Sequence, residues 1–269
     1  MTTNIITFIR QSILLIINVF IIQDSLVSQT QNRNDMRCDI AHLHLINLSE
    51  NATAPFALLP NSMVSLSVRN EFLLKELMNK RVDFAYRRQN NLFVFRIEHF
   101  GYEKFGEIKL STAYGRLFAG RFAVAMQFHY LFRHAFEYPS VHSFTFDLSF
   151  QAKIKETFGF GVEIYNPVGL KYEIVKGDVI PRYFSINLYH KINAKMLLWS
   201  KIEKSFPGSF DILLGADCRI SPITLSAAVS LSHLQFNILY SWRAFHFDLQ
   251  SQYHYRLGFS PALRLHYLF

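Results

Sequence analysis

Apolar and polar residues alternate along most of this chain, and no other feature constrains its fold as strongly. The pattern is clearest in Leu117–Arg133 and is repeated in Ser143–Lys155. Successive side chains of a β-strand point to opposite faces, so a period of two over such lengths predicts strands whose two faces meet different environments. One phase of these segments is rich in phenylalanine, and the other carries polar residues such as Gln127 and Asp147.

Turn-forming residues divide the chain at short intervals. Asn90-Asn91, Pro207-Gly208 and Ser260-Pro261 are the plainest examples. Between such turns the alternation predicts fourteen strands, at about 63–68, 81–88, 91–98, 105–115, 117–133, 142–155, 157–165, 182–192, 195–204, 209–220, 222–231, 234–241, 244–255 and 261–269.

Alternation alone fits both a secreted β-sandwich and a membrane barrel. Three features favour the barrel. Many predicted strands are longer than the five or six residues (roughly) that are usual in globular proteins. The apolar phase is crowded by 27 phenylalanines, 13 tyrosines and two tryptophans, as in the aromatic girdles of outer-membrane barrels. The chain also ends on an alternating strand, Leu263–Phe269. We therefore predict an all-β fold, a transmembrane antiparallel β-barrel of about 14 strands over residues 63–269.

Residues 1–28 have the composition of a signal peptide. Arg10 precedes the apolar stretch Ile13–Ile22, and the small residues Ser25 and Ser28 follow. A stretch of this length is too short to span a bilayer as a helix, which takes about 20 residues. We expect cleavage near Ser28–Gln29; an uncleaved membrane anchor is the alternative. Export of a membrane barrel predicts a location in the outer membrane of a Gram-negative bacterium.

The segment 29–62 differs from the strands that follow it. It begins with a polar stretch and continues with apolar residues that have no clear period. A barrel of this size has an interior that chain can fill. We predict that about 36–62 folds inward as a plug, with its centre at Ala54, Pro55, Phe56, Ala57 and Leu58.

The two phases of the strands assign side chains to the lipid or to the lumen. The residues predicted to face lipid include Phe122, Phe128, Phe146 and Leu249, and Cys218 shares that phase on its own strand. Because Cys38 falls in the plug, both cysteines are predicted to be free thiols. The residues predicted to line the lumen are Arg121, Gln127, His129, Thr145, Asp147, Gln151, His246, Asp248, Gln250 and Arg264.

Composition and spacing favour no enzyme, metal site, cofactor or nucleic-acid surface. His246 and Asp248 share a strand face, which would suit an acid–base pair, but we interpret them as part of a polar lumen wall. The eleven histidines show no zinc-binding spacing on a helix, and the cations behind the net charge of +8 are scattered singly. We predict no catalytic residue, no metal and no cofactor.

Several short motifs resemble one family. Ala54-Pro55-Phe56-Ala57-Leu58-Leu59 is similar to the Asn-Pro-Ala-x-Leu plug motif of FadL-like outer-membrane barrels, with Ala54 and Phe56 in place of Asn and Ala. Phe105–Ile108, Gly159–Pro167 and Leu257–Phe269 also resemble this family, within it the PorV/PorQ branch linked to type IX secretion in Bacteroidota. The resemblance implies a fourteen-stranded barrel with an N-terminal plug.

The resemblance leaves two functions open, neither of them enzymatic. The first is the passage of a small hydrophobic solute across the outer membrane, as in a porin-like transport protein. The second is a barrel component of a secretion or outer-membrane assembly machine. The expected partners are outer-membrane lipid, other outer-membrane or secretion proteins, and the barrel-assembly machinery, which would recognise the C-terminal strand through Tyr267 and Phe269.

Overall fold

The computed structural model describes residues 53–59, 61–172, 180–208 and 210–269. These residues form fourteen antiparallel strands, each paired with its neighbours in sequence, and β1 pairs with β14 to close the barrel. The predicted fold class is confirmed. The strands are β1 Met63–Asn70, β2 Met78–Arg88, β3 Asn91–Gly101, β4 Phe105–Phe118, β5 Phe122–Ala135, β6 Tyr138–Lys155, β7 Phe158–Tyr165, β8 Arg182–Lys191, β9 Met196–Phe206, β10 Phe210–Ile220, β11 Ile223–Val229, β12 His233–Trp242, β13 Phe245–His254 and β14 Gly258–Leu268.

The barrel places apolar side chains outside and polar side chains inside. On β5 the side chain of Phe128 is 54% exposed, whereas its neighbours Gln127 and His129 are buried. On β13 Leu249 is 54% exposed beside the fully buried Asp248. A soluble β-sandwich buries its apolar face, so this inverted distribution is that of a barrel whose outer surface meets lipid.

The two ends of the barrel differ in their connections. At the end that carries Met63 and Leu268, the strands are joined by turns of two to four residues; we call this the turn end. The opposite end, the loop end, carries the longest connection, residues 166–181 between β7 and β8. The β1–β2 connection at the loop end contains two single-turn 3-10 helices, Glu71–Leu73 and Lys75–Leu77.

The predicted fifth strand, 117–133, is divided by a turn. Leu117 and Phe118 end β4, and β5 begins at Phe122. Ala119 and Gly120 both have positive φ, which reverses the chain between the two strands. Both strands carry apolar residues in the same sequence phase, so the alternation continues across the turn and conceals it.

Some predictions concern residues at the margins of the described structure. The signal peptide 1–28, the plug residues before Thr53, and Cys38 lie outside the described residues, so those predictions stay open. Cys218 is a free thiol exposed on the outer face of β10. In the part of the chain that the structure describes, no helix is both long enough and apolar enough to cross a membrane.

Candidate functional site

The inward-facing residues form rows that follow the strand register across several strands of the wall. Each member of a row lies directly opposite the next in the strand register. The middle row, which we call the polar belt, consists of His246, His266, Ser65, Asp83, Arg96, Ser111, His129 and Thr145. The row towards the turn end is apolar over Leu268, Met63, Ala85, Val94 and Ala113. The row towards the loop end is charged and contains Asp248, Arg264, Ser67, Arg81, Glu98 and Lys109.

A short 3-10 helix, Ala54–Leu58, lies inside the barrel against the apolar row; we call it the plug helix. Pro55 sits in its first turn, where a missing N–H costs nothing. All five residues of the plug helix are buried, and all but Pro55 form one cluster with Met63 and Val94 among others. The sequence motif predicted as a plug therefore covers the lumen near the turn end.

Hydrogen bonds attach the plug segment to two parts of the wall, β5–β6 and β2. The Thr53 hydroxyl donates to Gln127 Oε1 over 2.5 Å, and the amide of Ala54 donates to Ser149 Oγ over 3.0 Å. From β2, Arg87 Nη1 donates to the carbonyl oxygens of Ala57 and Leu59. The plug segment is thus held by polar contacts as well as by apolar packing.

Charged residues of the belt and of the loop-end row neutralise one another in pairs. The carboxylate of Asp83 accepts hydrogen bonds from Arg96 and, over 3.0 Å, from Arg81 Nε. Glu98 accepts from Asn79 Nδ2 over 2.7 Å and lies 3.2 Å from Lys109 Nζ. Burial of a charge is costly unless it is paired, which explains why these residues lie side by side.

Ser111, His129 and Asp147 form a continuous hydrogen-bonded chain across β4, β5 and β6. Ser111 Oγ lies 2.7 Å from His129 Nδ1, and His129 Nε2 lies 2.8 Å from Asp147 Oδ2. The order of groups is that of a nucleophile–base–acid triad. All three side chains are buried by their neighbours, so no substrate reaches Ser111 in this structure. The arrangement therefore acts as a polar bridge between three strands.

A segment of the β7–β8 connection covers part of the loop end. Tyr172 and Ile180 are buried with Leu131, and the guanidinium of Arg133 lies 4.3 Å from the centre of the Tyr172 ring. The side chain of Asn166 donates to the carbonyl of Ile180 over 3.1 Å. These contacts hold Tyr172 and Ile180 against the inner wall on the side of β5 to β8.

Nine of the ten residues predicted to line the lumen lie on the inner face of the wall. They are buried and belong to β5, β6, β13 and β14: Gln127, His129, Thr145, Asp147, Gln151, His246, Asp248, Gln250 and Arg264. Arg121 is the exception, because it lies exposed in the β4–β5 turn described above. Among them, hydrogen bonding brings His129 and Asp147 together, while His246 Nδ1 lies 2.9 Å from Ser241 Oγ instead.

The sequence analysis missed the charged pairs on β2 to β4. Asp83, Arg96 and Glu98 alternate with Val82, Phe84 and Phe95, and this alternation is the signal that would have placed them in the lumen. Tyr267 and Phe269, predicted to direct assembly, lie on the outward phase of the last strand with their rings 5.9 Å apart. Their role in assembly stays a prediction. Among the residues described, no group of three metal-binding side chains occurs.

Comparisons with known proteins identify the fold. No family model matches the sequence, and no curated protein matches it. Among solved structures, the Pseudomonas putida toluene transporter TodX superposes with a TM-score of 0.60 at 7% identity, over 81% of this chain and 93% of that one. The CymD monoaromatic hydrocarbon channel gives 0.58 at 8% identity, over 80% and 91%. A Pseudomonas aeruginosa FadL homologue gives 0.57 at 10% identity, over 81% and 92%.

The fold is that of FadL-type channels. At these identities the likeness concerns the barrel alone and transfers neither solute nor residue roles.

Proposed function

We propose that this protein is an outer-membrane channel for small solutes and that the structure is its closed state. The observation that carries the proposal is the plug helix, which is buried inside a closed, lipid-facing barrel and packs on the apolar row of an otherwise polar inner wall. The polar contacts of Thr53 and Arg87 provide points at which the plug segment can be released.

The lumen walls favour a polar solute over the hydrophobic one that the family resemblance implies. The channels with a similar fold include one described as a toluene transporter and one as a monoaromatic hydrocarbon channel. Here the inner wall carries the polar belt and the charged loop-end row, and side-chain atoms of Lys109 and Glu98 stay partly accessible. An apolar solute would leave such atoms desolvated, whereas a polar solute bonds to them.

The short turns and the fold support an orientation in the outer membrane. Outer-membrane barrels have short periplasmic turns and longer extracellular loops. By that rule the turn end and the plug helix face the periplasm, and the β7–β8 connection faces the cell exterior. The plug then controls the exit of solute on the periplasmic side.

Vesicle permeability tests the proposal. We expect lipid vesicles containing Phe56→Ala to swell faster in a small neutral sugar than vesicles with the unmodified protein, because Phe56 is the largest side chain of the plug helix and is buried against the wall. The matched control is Phe144→Ala, which removes the same ring from the outer face of β6. If the Phe56→Ala barrel is folded and no more permeable than Phe144→Ala, the channel proposal is wrong.

The role in a secretion or assembly machine remains the alternative. It predicts stoichiometric partner proteins in a mild detergent extract and no permeability in any plug variant. Interaction with the barrel-assembly machinery through Tyr267 and Phe269 is compatible with both functions, because every outer-membrane barrel must be inserted.

A further inference from the structure

A cavity of about 130 Å³ lies inside the barrel near the loop end, between β14, β1, β2, β3 and β4. Its walls include four cationic side chains and two carboxylates, which belong to the loop-end row or lie closer to the loop end: Arg69, Arg81, Lys109, Arg264, Glu71 and Glu98. Exposure decreases from Arg69 and Glu71 at the loop end to the buried Arg264. The cavity is therefore entered from the loop end, which is the exterior side in the proposed orientation.

The carboxylates and the cations around the cavity are engaged with one another. Glu98 is held by Asn79 and Lys109, and Glu71 lies 3.6 Å from Arg69 Nη1. In the neighbouring polar belt, Asp83 is paired with Arg81 and Arg96. Even when the adjacent Asp83, Asp248 and Arg96 are included, cations outnumber carboxylates by one.

The strand register places two of the arginines on either side of a hydroxyl. Arg264 and Arg81 both lie directly opposite Ser67, one on β14 and the other on β2. Guanidinium groups bind carboxylates and phosphates through paired N–H donors. In a partly buried cavity the attraction of these cations for an anion is screened less than at the protein surface.

We propose that this cavity is a binding site for a small organic or inorganic anion, recognised by its carboxylate or phosphate group. The volume limits the ligand, since a cavity of roughly 150 Å³ holds a molecule the size of benzene. An oligosaccharide or a long acyl chain does not fit. If the protein is the channel proposed above, this cavity is where solute enters, and small anions are the class of solute that it takes.

Calorimetric titration of the folded protein in non-ionic detergent at low salt tests the site without requiring conduction. The probes are benzoate, benzamide and benzylammonium, which have nearly the same shape and differ in charge. Inorganic phosphate is the fourth probe and shows whether a second anion uses the same cavity. We expect benzoate and phosphate to bind in competition with each other, and the neutral and cationic analogues to give no measurable binding.

The variants Lys109→Gln and Lys201→Gln distinguish the effect of a charge in the cavity from the effect of a charge elsewhere in the lumen. Both lysines face the lumen, both are paired with a glutamate, and their side chains are 16% and 19% exposed. Only Lys109 lines the cavity. We expect Lys109→Gln to weaken benzoate binding by about tenfold, whereas Lys201→Gln, on β9, leaves it within about twofold.

A variant that is expected to bind benzoate more tightly shows that weaker binding in Lys109→Gln does not come from a general loss of folding. Glu98→Gln removes one negative charge from the cavity with little change of shape, and we expect it to strengthen benzoate binding. Absence of benzoate binding to the unmodified protein, equal binding of benzamide, or equal effects of Lys109→Gln and Lys201→Gln would each overturn the proposal. None of these outcomes bears on vesicle permeability to a neutral sugar, so the anion site and the channel function fail separately.

Discussion

His129 Nε2 and Asp147 Oδ2 lie 2.8 Å apart on the inner face of the wall, although the two residues are not register partners. His129 is opposite Thr145, and Asp147 is opposite Gln127, so the hydrogen bond runs diagonally between two rows of the wall. Ser111 extends the chain to β4 through His129 Nδ1. The polar bridge therefore fixes the relative height of β4, β5 and β6 next to the plug segment, whose Thr53 bonds to Gln127.

Asp147→Ala is expected to destabilise the barrel by about 1–3 kcal/mol, because it leaves the buried Nε2 of His129 without a partner. Asp147→Asn keeps an acceptor oxygen at the same place and should recover most of the loss. Equilibrium unfolding in urea, followed by gel mobility of the folded barrel, measures both variants. Thr145→Ala is the control, since Thr145 is buried nearby and its hydroxyl bonds to no protein atom. Equal losses for Asp147→Ala and Thr145→Ala would contradict the bridging role.

Alternation along single strands predicted the strands and their two faces, because each strand reports its own two environments. The length of the strands and the crowding of aromatic residues favoured a barrel over a sandwich. Side-chain contacts between neighbouring strands could not be predicted, since they depend on the strand register and on the exact position of each turn. Arg121 illustrates this: it continues the polar phase of β5 in sequence but lies in a turn. Ser111 and His129 were each recognisable as polar strand residues, yet only the β4–β5 register brings them together.

The attachment of the plug segment to the wall could not be predicted from the sequence. The apolar run around Phe56 has no strand period, which indicated a segment inside the barrel. Its anchor Arg87 lies on β2 in an ordinary alternating strand, where nothing in the sequence points to the carbonyl oxygens of Ala57 and Leu59.

Leu249→Lys is expected to cost about 2–4 kcal/mol of barrel stability, as a lysine does at the bilayer midplane. Leu249 lies at the centre of β13 and its side chain is directed outward. Leu231→Lys provides the control, because Leu231 is 80% exposed in the β11–β12 connection, where water is accessible. Unfolding of both variants in lipid vesicles measures the difference. If Leu231→Lys is as harmful as Leu249→Lys, the outer face of β13 does not meet lipid.

Arg87→Met is expected to loosen the plug segment while leaving the barrel closed. Methionine keeps the apolar part of the side chain but no longer donates to the carbonyl oxygens of Ala57 and Leu59. Loss of a charge-assisted hydrogen bond costs about 1.5–3 kcal/mol, so the opened population should rise about tenfold or more. Limited proteolysis of the plug segment in the folded protein detects the opening, together with faster vesicle swelling.

The control for the plug is Arg88→Met, at the next position of the same strand. Arg88 is exposed, and the same atoms are removed from the outside of the barrel. Cleavage within the plug segment at the same rate in both variants would show that Arg87 does not anchor it.

Gly215→Ala is expected to destabilise the wall by about 1–3 kcal/mol through overpacking. A Cβ at this position would collide with the indole of Trp199 on β9 and would lie 2.9 Å from Ala228 Cβ on β11. Trp199 cannot move away without breaking the 2.9 Å hydrogen bond from its Nε1 to Asp217 Oδ1. The fluorescence of buried Trp199 should therefore shift in the folded variant, together with the unfolding midpoint. Ala216→Val enlarges the adjacent residue on the outer face, where space is open, and should change neither property; an unchanged midpoint for Gly215→Ala as well would show that the indole does not pack on this glycine.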